Sequence, residues 1–480
     1  MLFNSFEFLL FFPVVFIGFF ITPYKYRWIW LLAASYFFYM AHSPELVILL
    51  LISTTVDYYA ALRMARATAS IRKYYLLLSI AINIGMLCIF KYLAFFTNTI
   101  NQLLVFSGIG NSNSNVLGTY SFSQILLPIG ISFYTFQTLS YTIDVYRRKI
   151  EPETHLGWFA LYVCFFPQLV AGPIERASRL LPQLKQQTQL YLPNIKQGLV
   201  TMAWGFFLKI VVADRLGLYV DEAFKNAQSP HGIALFLGAL FFCFQIYFDF
   251  SAYTAIAIGT AKTLNIDLMQ NFNRPFFSTS AAQFWKRWHI SFMHWLRDYL
   301  YQPLVKNYKL SRVTAILIVF FVNGLWHGAN WTFIVWSLLN AILLVIEVGT
   351  NRIRQQLIKK LKLPQKVVAF LGWAIIGCYL MLSLVFFRAT SIEHAVVYIK
   401  SMFQFGSLHI NILNNYIELA ICFVLIVLVQ TVHYFKGNNK IHELVIGKPT
   451  YIRWSIYISF ITIISLFAIN RQNTFIYFQF

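Results

Sequence analysis

One histidine stands in the middle of a long uncharged apolar stretch, and it is the residue best placed to do chemistry. Between Arg312 and Glu347 the chain has no Asp, Glu, Lys or Arg, and Ile, Leu, Val and Phe surround the core Asn323-Gly-Leu-Trp-His-Gly-Ala-Asn-Trp331. An ionisable group carried into lipid is costly and by default marks a functional site. With helical spacing throughout, Asn323 lies four residues before His327, and Asn330 and Trp331 lie three and four after it. Two amides and an indole on that face would fix the tautomer of the imidazole. A neutral imidazole so held can take the proton of a hydroxyl, a poor nucleophile at neutral pH, as it attacks an activated acyl group. The plainer alternative is a packing histidine satisfied by a backbone carbonyl, and the polar cluster at that depth weighs against it.

A second group lies in the basic connection Lys262 to Arg312. On a helical wheel Phe284, Trp285, Trp288, Phe292, Trp295, Leu296 and Tyr299 share one arc, opposite Lys286, Arg287, His294, Arg297 and Asp298. Such a helix is expected to lie in the membrane interface. His294 then faces the polar side, whereas His289, at the edge of the aromatic arc, is placed to look into the protein. Lys286, Arg287 and Arg297 are candidates for holding the phosphates of a donor, although contact with anionic lipid headgroups explains them equally well. Asp249 sits on a long apolar run, Gly232 to Ala261, with Gln245, Tyr247, Ser251 and Tyr253. It is either an acid or orienting group, or an acceptor for a neighbouring helix, the latter slightly favoured.

The elements that hold these residues are membrane helices. Hydrophobic residues make up 59% of the 480 positions and charged residues 11%, far below the roughly one quarter of soluble domains. About 11–12 runs satisfy the length rule for a spanning helix, so the expectation is one all-α, polytopic integral-membrane domain over 1–480. Met1 to Thr22 lacks the basic start of a cleaved signal and reads as a retained first span. The five cysteines are scattered singly through apolar runs, which suits neither a disulfide framework nor a metal site. No Gly-rich phosphate loop or Ser-His-Asp order is apparent. A net charge of +21 in so apolar a chain points to cytoplasmic loops beside anionic lipid rather than to nucleic acid.

The basic residues set an orientation. Lys25 and Arg27, then Arg63 to Lys73, then Arg147 to Lys149, alternate with the cation-poor turns His42 to Glu45 and Thr97 to Ser123. The positive-inside rule places the basic loops in the cytoplasm and both termini outside, provided Val313 to Val348 crosses twice. A turn at Gly328 in that hairpin would bring His327 towards the outer face. Leu156 to Pro173 is short, interrupted by Pro167, Gly172 and Pro173, and flanked by basic residues on both sides, so it reads as re-entrant. Backbone of that kind is tolerated only against protein or a water-filled cavity. A passage is therefore expected to open to the cytoplasm beside Trp288 and His289, narrow at His327 and open outward. Asn323, Trp326, Asn330, Trp331 and Asp249 are its other candidate lining residues.

Seven runs then resemble the membrane-bound O-acyltransferases, in the bacterial branch that contains the membrane subunit of alginate O-acetylation. They are Pro128-Ile-Gly-Ile-Ser-Phe-Tyr-Thr-Phe136, Phe166-Pro-Gln-Leu-Val-Ala-Gly-Pro-Ile174, Phe248-Asp-Phe-Ser251, Asn271-Phe-Asn-Arg-Pro275, Phe284-Trp-Lys-Arg-Trp-His-Ile-Ser291, Trp295-Leu-Arg-Asp-Tyr-Leu-Tyr301 and Leu325-Trp-His-Gly-Ala-Asn-Trp331. The resemblance implies a helical ring around a central tunnel, with His327 at the catalytic constriction and His289 as the second histidine. It further implies no bound cofactor and acetyl-CoA, or another acyl thioester, as donor substrate. The acyl group would cross the bacterial cytoplasmic membrane, and an extracytoplasmic acetyltransferase partner would place it on a polysaccharide such as alginate or peptidoglycan. D-alanyl transfer to teichoic acid from a carrier protein is the rival within the family. A transporter is the rival outside it, although the two related halves usual in transporters are absent from the sequence. The run after Tyr301 lacks the Gly-Gly-Asn-Arg common in this branch, so the docking surface for the donor is expected to differ.

Overall fold

The computed structural model describes residues 1–41, 44–107, 130–170, 172–404, 410, 412–413, 415–469 and 475–476. The outer part of the cation-poor stretch, 108–123, lies outside the described residues, as do His42 and the position following it. All regular elements among the described residues are helical. In chain order they begin with α1 (Phe6–Ile21), α2 (Tyr24–Met40), α3 (Val47–Arg66), and α4 (Ala69–Leu87), which runs through a π-helical turn at Cys88–Tyr92 into α5 (Leu93–Phe106). Then come α6 (Ile131–Tyr146), the short α7 (Leu156–Cys164) and α8 (Phe166–Leu169), α9 (Ala177–Leu184), and α10 (Leu192–Phe206). A second π-helical stretch, Phe207–Ala213, joins α10 to α11 (Asp214–Lys225), and α12 (Gly232–Thr263) follows. The site is carried by α13 (Ala281–Trp285), α14 (Ile290–Leu296), α15 (Gln302–Lys306), α16 (Arg312–His327) and α17 (Trp331–Gly349). Beyond it lie α18 (Asn351–Lys360), α19 (Gln365–Arg388), α20 (Ile392–Met402), α21 (Tyr416–Lys436), α22 (Glu443–Ile446) and α23 (Thr450–Phe467).

Among the described residues 7 helical segments are long and apolar enough to cross a membrane, and α1 and α16 are shorter apolar helices. With α2, α6 and α10, of comparable length, they match the expected set of about 11–12 crossings. The chain is an all-α polytopic membrane protein. Its lipid-type faces are exposed, as on α1 (Phe6, Leu9, Leu10, Val14) and α23 (Trp454, Ile458, Ile461).

The long helix α12 is the inner post of the bundle. Gly198 of α10 and Gly259 of α12 bring the two backbones into contact, since a Cβ on Gly259 would lie 2.6 Å from the Gly198 carbonyl oxygen. Small residues permit this approach where no hydrophobic driving force acts between helices. Higher on the same pair, Lys209 reaches Asp214 at 2.8 Å and Asp249 at 2.7 Å, all three side chains being buried. Asp249 also accepts from the backbone N–H of Ile476 at 2.8 Å. Mutual pairing is what makes buried charge tolerable there.

Leu156 to Pro173 forms two short helices broken at Phe165, fully buried from Phe159 to Val170, in keeping with backbone shielded by protein. Val313 to Val348 is a helical hairpin, α16 and α17, turned at Gly328-Ala329-Asn330. At 1.5 Å per residue α16 is about 24 Å long, so His327, its last residue, lies a long way from the basic end at Arg312.

Candidate functional site

The connection from α12 to α14 departs from the single interfacial helix expected from its pattern. The helix stops after Trp285, and His289 adopts a left-handed conformation (φ 44°) before α14 begins. A tertiary bond accounts for the break: the N–H of Ile290 donates to the carbonyl of Asn271 at 2.9 Å instead of continuing the helix. The Asn271 side chain accepts from Ser291 Oγ at 2.9 Å, and Ser291 Oγ in turn accepts from the N–H of Ile174 at 3.0 Å. Residues from three of the motif runs therefore meet in one hydrogen-bonded knot that sets the direction of His289. Glu347, at the far end of α17, accepts from the N–H of Ala281 at 2.5 Å and caps α13.

The bend turns His289 fully inward. Its ring lies among Phe250 (4.8 Å between centroids), Phe292 (4.9 Å) and Trp326 (5.3 Å). Neither of its ring nitrogens has a hydrogen-bond partner among the described residues. Burial pushes this imidazole well below the usual histidine range, so it is held in its neutral form. His294 is half-buried, near Arg297 and Asp298 at the surface.

His327 is buried against the same Trp326 indole. Its centroid lies 4.8 Å from that of Trp326, 4.9 Å from Trp336 and 5.2 Å from Phe387. The Trp326 ring stacks on Phe292 at 4.2 Å, and Phe292 in turn lies 4.9 Å from His289 and 6.4 Å from His327, so both imidazoles share one aromatic cluster. From α6, Phe133 and Phe136 pack on Trp326 at 5.3 and 6.2 Å, and Trp295 donates to the carbonyl of Phe136 at 2.8 Å.

The amides expected around His327 are placed otherwise. Because α16 ends at His327, the residues after it do not continue its face. Asn330 caps α17 by accepting from the N–H of Thr332 at 3.0 Å, and it donates to Thr390 O at 3.0 Å. Trp331 is 43% exposed and donates to Thr99 Oγ1 at 3.2 Å. Asn323 is buried one turn below the histidine and donates to Ser337 Oγ at 2.7 Å, which ties α16 to α17. Asp249 pairs with Lys209 and the Ile476 backbone.

Lys91 is a residue the sequence reading passed over. It enters from the π-helical turn between α4 and α5 and donates to the carbonyl of Trp326 at 2.6 Å and of His327 at 3.5 Å. Tyr92 beside it donates to the carbonyl of Leu325 at 2.9 Å. An ammonium group thus closes the C-terminal end of the helix that carries His327, where the backbone dipole is negative. A lysine inside the apolar run Cys88-Ile-Phe-Lys-Tyr was the signal that could have found it.

The three basic candidates for donor binding do not form one cluster. Lys286 is exposed, Arg297 is exposed and paired with its neighbour Asp298 at 2.8 Å, and Arg287 donates to Phe277 O at 3.2 Å. A cavity of about 150 Å³ lies close by, and Tyr247, Phe272 and Asn271 line it. Trp288 is buried on the far side of its wall, with ring centroids 6.1 Å from Tyr247 and 5.2 Å from Phe272. The cavity thus lies beside Trp288 and His289, whereas His327 is not among its lining residues.

Two neutralisable imidazoles, deep in an apolar surround and held by motif residues, suit proton transfer to or from an acyl acceptor. The profile of the membrane-bound O-acyltransferase family matches residues 16–385. The chain is 35% identical over 421 residues to the "Probable alginate O-acetylase AlgI" of Azotobacter vinelandii, covering 86% of this chain and 80% of that protein. It is 34% identical over 437 residues to the "Peptidoglycan O-acetyltransferase" of Helicobacter pylori, covering 84% and 80%. Against the "Teichoic acid D-alanyltransferase" of Streptococcus thermophilus the match is shorter, 31% over 245 residues, covering 48% and 59%. The chain therefore belongs to the membrane-bound O-acyltransferase family and is an O-acyltransferase.

Proposed function

We propose that the enzyme takes acetyl from acetyl-CoA at the cytoplasmic face of a bacterial cytoplasmic membrane and passes it outward for O-acetylation of an envelope or extracellular polysaccharide. The observation that carries the reading is the pair of buried imidazoles packed on Trp326, one next to the cavity wall at Phe272 and one at the end of α16. Similarity to proteins named as alginate and peptidoglycan O-acetylating enzymes supports acetyl over D-alanyl, because those matches cover most of both chains. A partner that hands the acetyl group on to the polysaccharide completes the scheme.

In this reading His327 is the general base. It takes the proton of the acceptor hydroxyl as that oxygen attacks the thioester carbonyl, the tetrahedral intermediate collapses with cleavage of the C–S bond, and the proton goes to the leaving thiolate. Lys91 and Asn323 fix the end of α16 and so the imidazole. His289 lies on the donor's route and positions the thioester.

In proteoliposomes loaded with radiolabelled acetyl-CoA, wild-type protein is expected to release thiol and label an added acceptor. His327→Ala should lower the rate by roughly 10²–10⁴, the usual loss for a positioned general base. Near-normal transfer by a folded His327→Ala protein would refute the assignment. Transfer only from a D-alanyl carrier protein would move the donor to the rival chemistry.

A further inference from the structure

The cavity beside Trp288 has a chemistry that proton transfer at the histidines does not use. Lys262, Arg274, Lys436 and Lys440 line it together with His433 and His442, and its apolar wall is Trp204, Leu208, Tyr247 and Phe272. Against four cations the lining holds a single carboxylate, Asp267, which Lys262 already engages at 2.8 Å. Among the described residues Arg274, Lys436 and Lys440 make no ion pair.

Three polar atoms of the lining, on Asn271 (Nδ2), Arg274 and His433, are buried and unsatisfied. Arg274 rests on Asn438 Oδ1 at 2.8 Å through one terminal nitrogen, while its Nε has no partner. His433 is 5% exposed, and its Nδ1 has no partner. Leaving such groups unmatched costs free energy, all the more for a charged one. Arg274 moreover holds a left-handed backbone (φ 49°), rare and strained outside glycine. Strain and unmatched donors at one spot are what a bound anion would offset.

We propose that this cavity is a binding site for an organic phosphate. Arg274, Lys436 and Lys440 hold the phosphate oxygens, and Trp204, Tyr247 and Phe272 pack the organic part. Charge alone does not distinguish the phosphorylated arm of a thioester donor from the headgroup of an anionic lipid. Geometry gives the donor arm a direction, since Phe272 forms the wall shared with His289 (6.4 Å) and Trp288 (5.2 Å). The donor assignment rests on the acyl-transfer reading, whereas the phosphate site itself does not. His433, Lys436, Lys440 and His442 all lie beyond residues 16–385. Half of the four cations, Lys436 and Lys440, therefore come from outside the part of the chain that the family profile covers.

The test is binding, not turnover. Purified full-length protein in an uncharged maltoside detergent is titrated with coenzyme A by thermophoresis, and in parallel its retained phosphatidylglycerol is counted by native mass spectrometry. Arg274→Gln and Lys436→Gln are compared with wild type and with Lys359→Gln, a surface control on α18. A tenfold or greater loss of coenzyme A affinity in both variants supports the site with the donor as its source. Unchanged coenzyme A binding with loss of retained phosphatidylglycerol supports the same site with lipid as its source. If neither probe is affected, the proposal is overturned. Should Arg274→Gln not fold, Lys440→Gln replaces it, because that side chain is exposed and holds nothing in the core. Wild-type protein that binds coenzyme A but transfers no acetyl would sink the acyl reading and leave the phosphate site standing.

Discussion

At His289 the side chain and the backbone make separate demands. Its left-handed conformation is imposed by the bond from Ile290 to Asn271, so a replacement must tolerate positive φ as well as lose the imidazole. Alanine does only the second, whereas asparagine is among the few residues enriched in that region. His289→Asn is expected to keep the thermal unfolding temperature of the solubilised protein within a few degrees and still lower acetyl transfer at least tenfold. His294→Asn, at the half-buried position, should leave transfer nearly unchanged. Equal losses in both would deny His289 a special role. Lys91 is a second such point. Lys91→Met keeps the length and removes the charge at the carbonyls of Trp326 and His327, and kcat is expected to fall about 10²-fold, the scale of losing one preorganised donor or a 1 Å misplacement. Lys91→Arg should recover most of it, and wild-type kcat in Lys91→Met would show that the ammonium is only a helix cap. Of these two residues only His289 was legible in the sequence. The motif and the aromatic arc marked it, but not the break, because the cause is a contact with a residue eighteen positions away. Lys91 was legible in principle and hidden by the hydrophobicity around it.

Among the elements, the hairpin α16–α17 shows how hydropathy can be right and a helical wheel wrong. An uncharged run long enough to cross twice folds as two helices, and the turn falls at the Gly328 expected for it. The wheel failed past His327 since Asn330 and Trp331 belong to the next helix, whose N-cap is Asn330 itself. Gly328 is extended (φ −169°), so its conformation asks nothing special of glycine. Space does: a Cβ there would fall 2.2 Å from the Phe333 ring. Phe333 packs on Phe387 at 4.9 Å, and Phe387 packs on His327 at 5.2 Å. Gly328→Leu is therefore expected to act by displacing that ring series, lowering the unfolding temperature along with transfer. Gly328→Ala with Phe333→Leu should restore both in part. An unchanged unfolding temperature in Gly328→Leu would show that the ring yields freely.

For the molecule as a whole, orientation follows from charge, and the structure supplies better reporter positions than the sequence. Gln228, exposed beyond α11, serves as the outer probe. In a cysteine-depleted background, a cysteine at Gln228 should react with an impermeant maleimide added to intact cells, and one at Arg354 only after lysis. Labelling of both from outside would overturn the cytoplasmic assignment of the phosphate cavity along with the topology. The bundle was legible as a list of spans, but the contacts that close it were not. Lys209 sits in an apolar run like any other lysine; Asp214 is five residues along the same stretch, whereas its second carboxylate partner, Asp249, is assigned only when that stretch meets α12.

That closure bears on how the protein is made. Tyr253, near the middle of the chain, donates to Asn4 at 2.7 Å and packs on Phe3 at 5.8 Å and on Phe475 at 4.5 Å. Asp249, one turn away, waits for the backbone of Ile476, 227 residues later. Two distant stretches of chain converge on α12, so the post stands in the bilayer with its acidic and phenolic groups only partly matched until the second arrives. Until Phe475 and Ile476 reach α12, this half-built helical bundle is expected to be the form most open to membrane proteases, so substitutions at Ile476 or Phe475 should shorten the lifetime of the protein in cells.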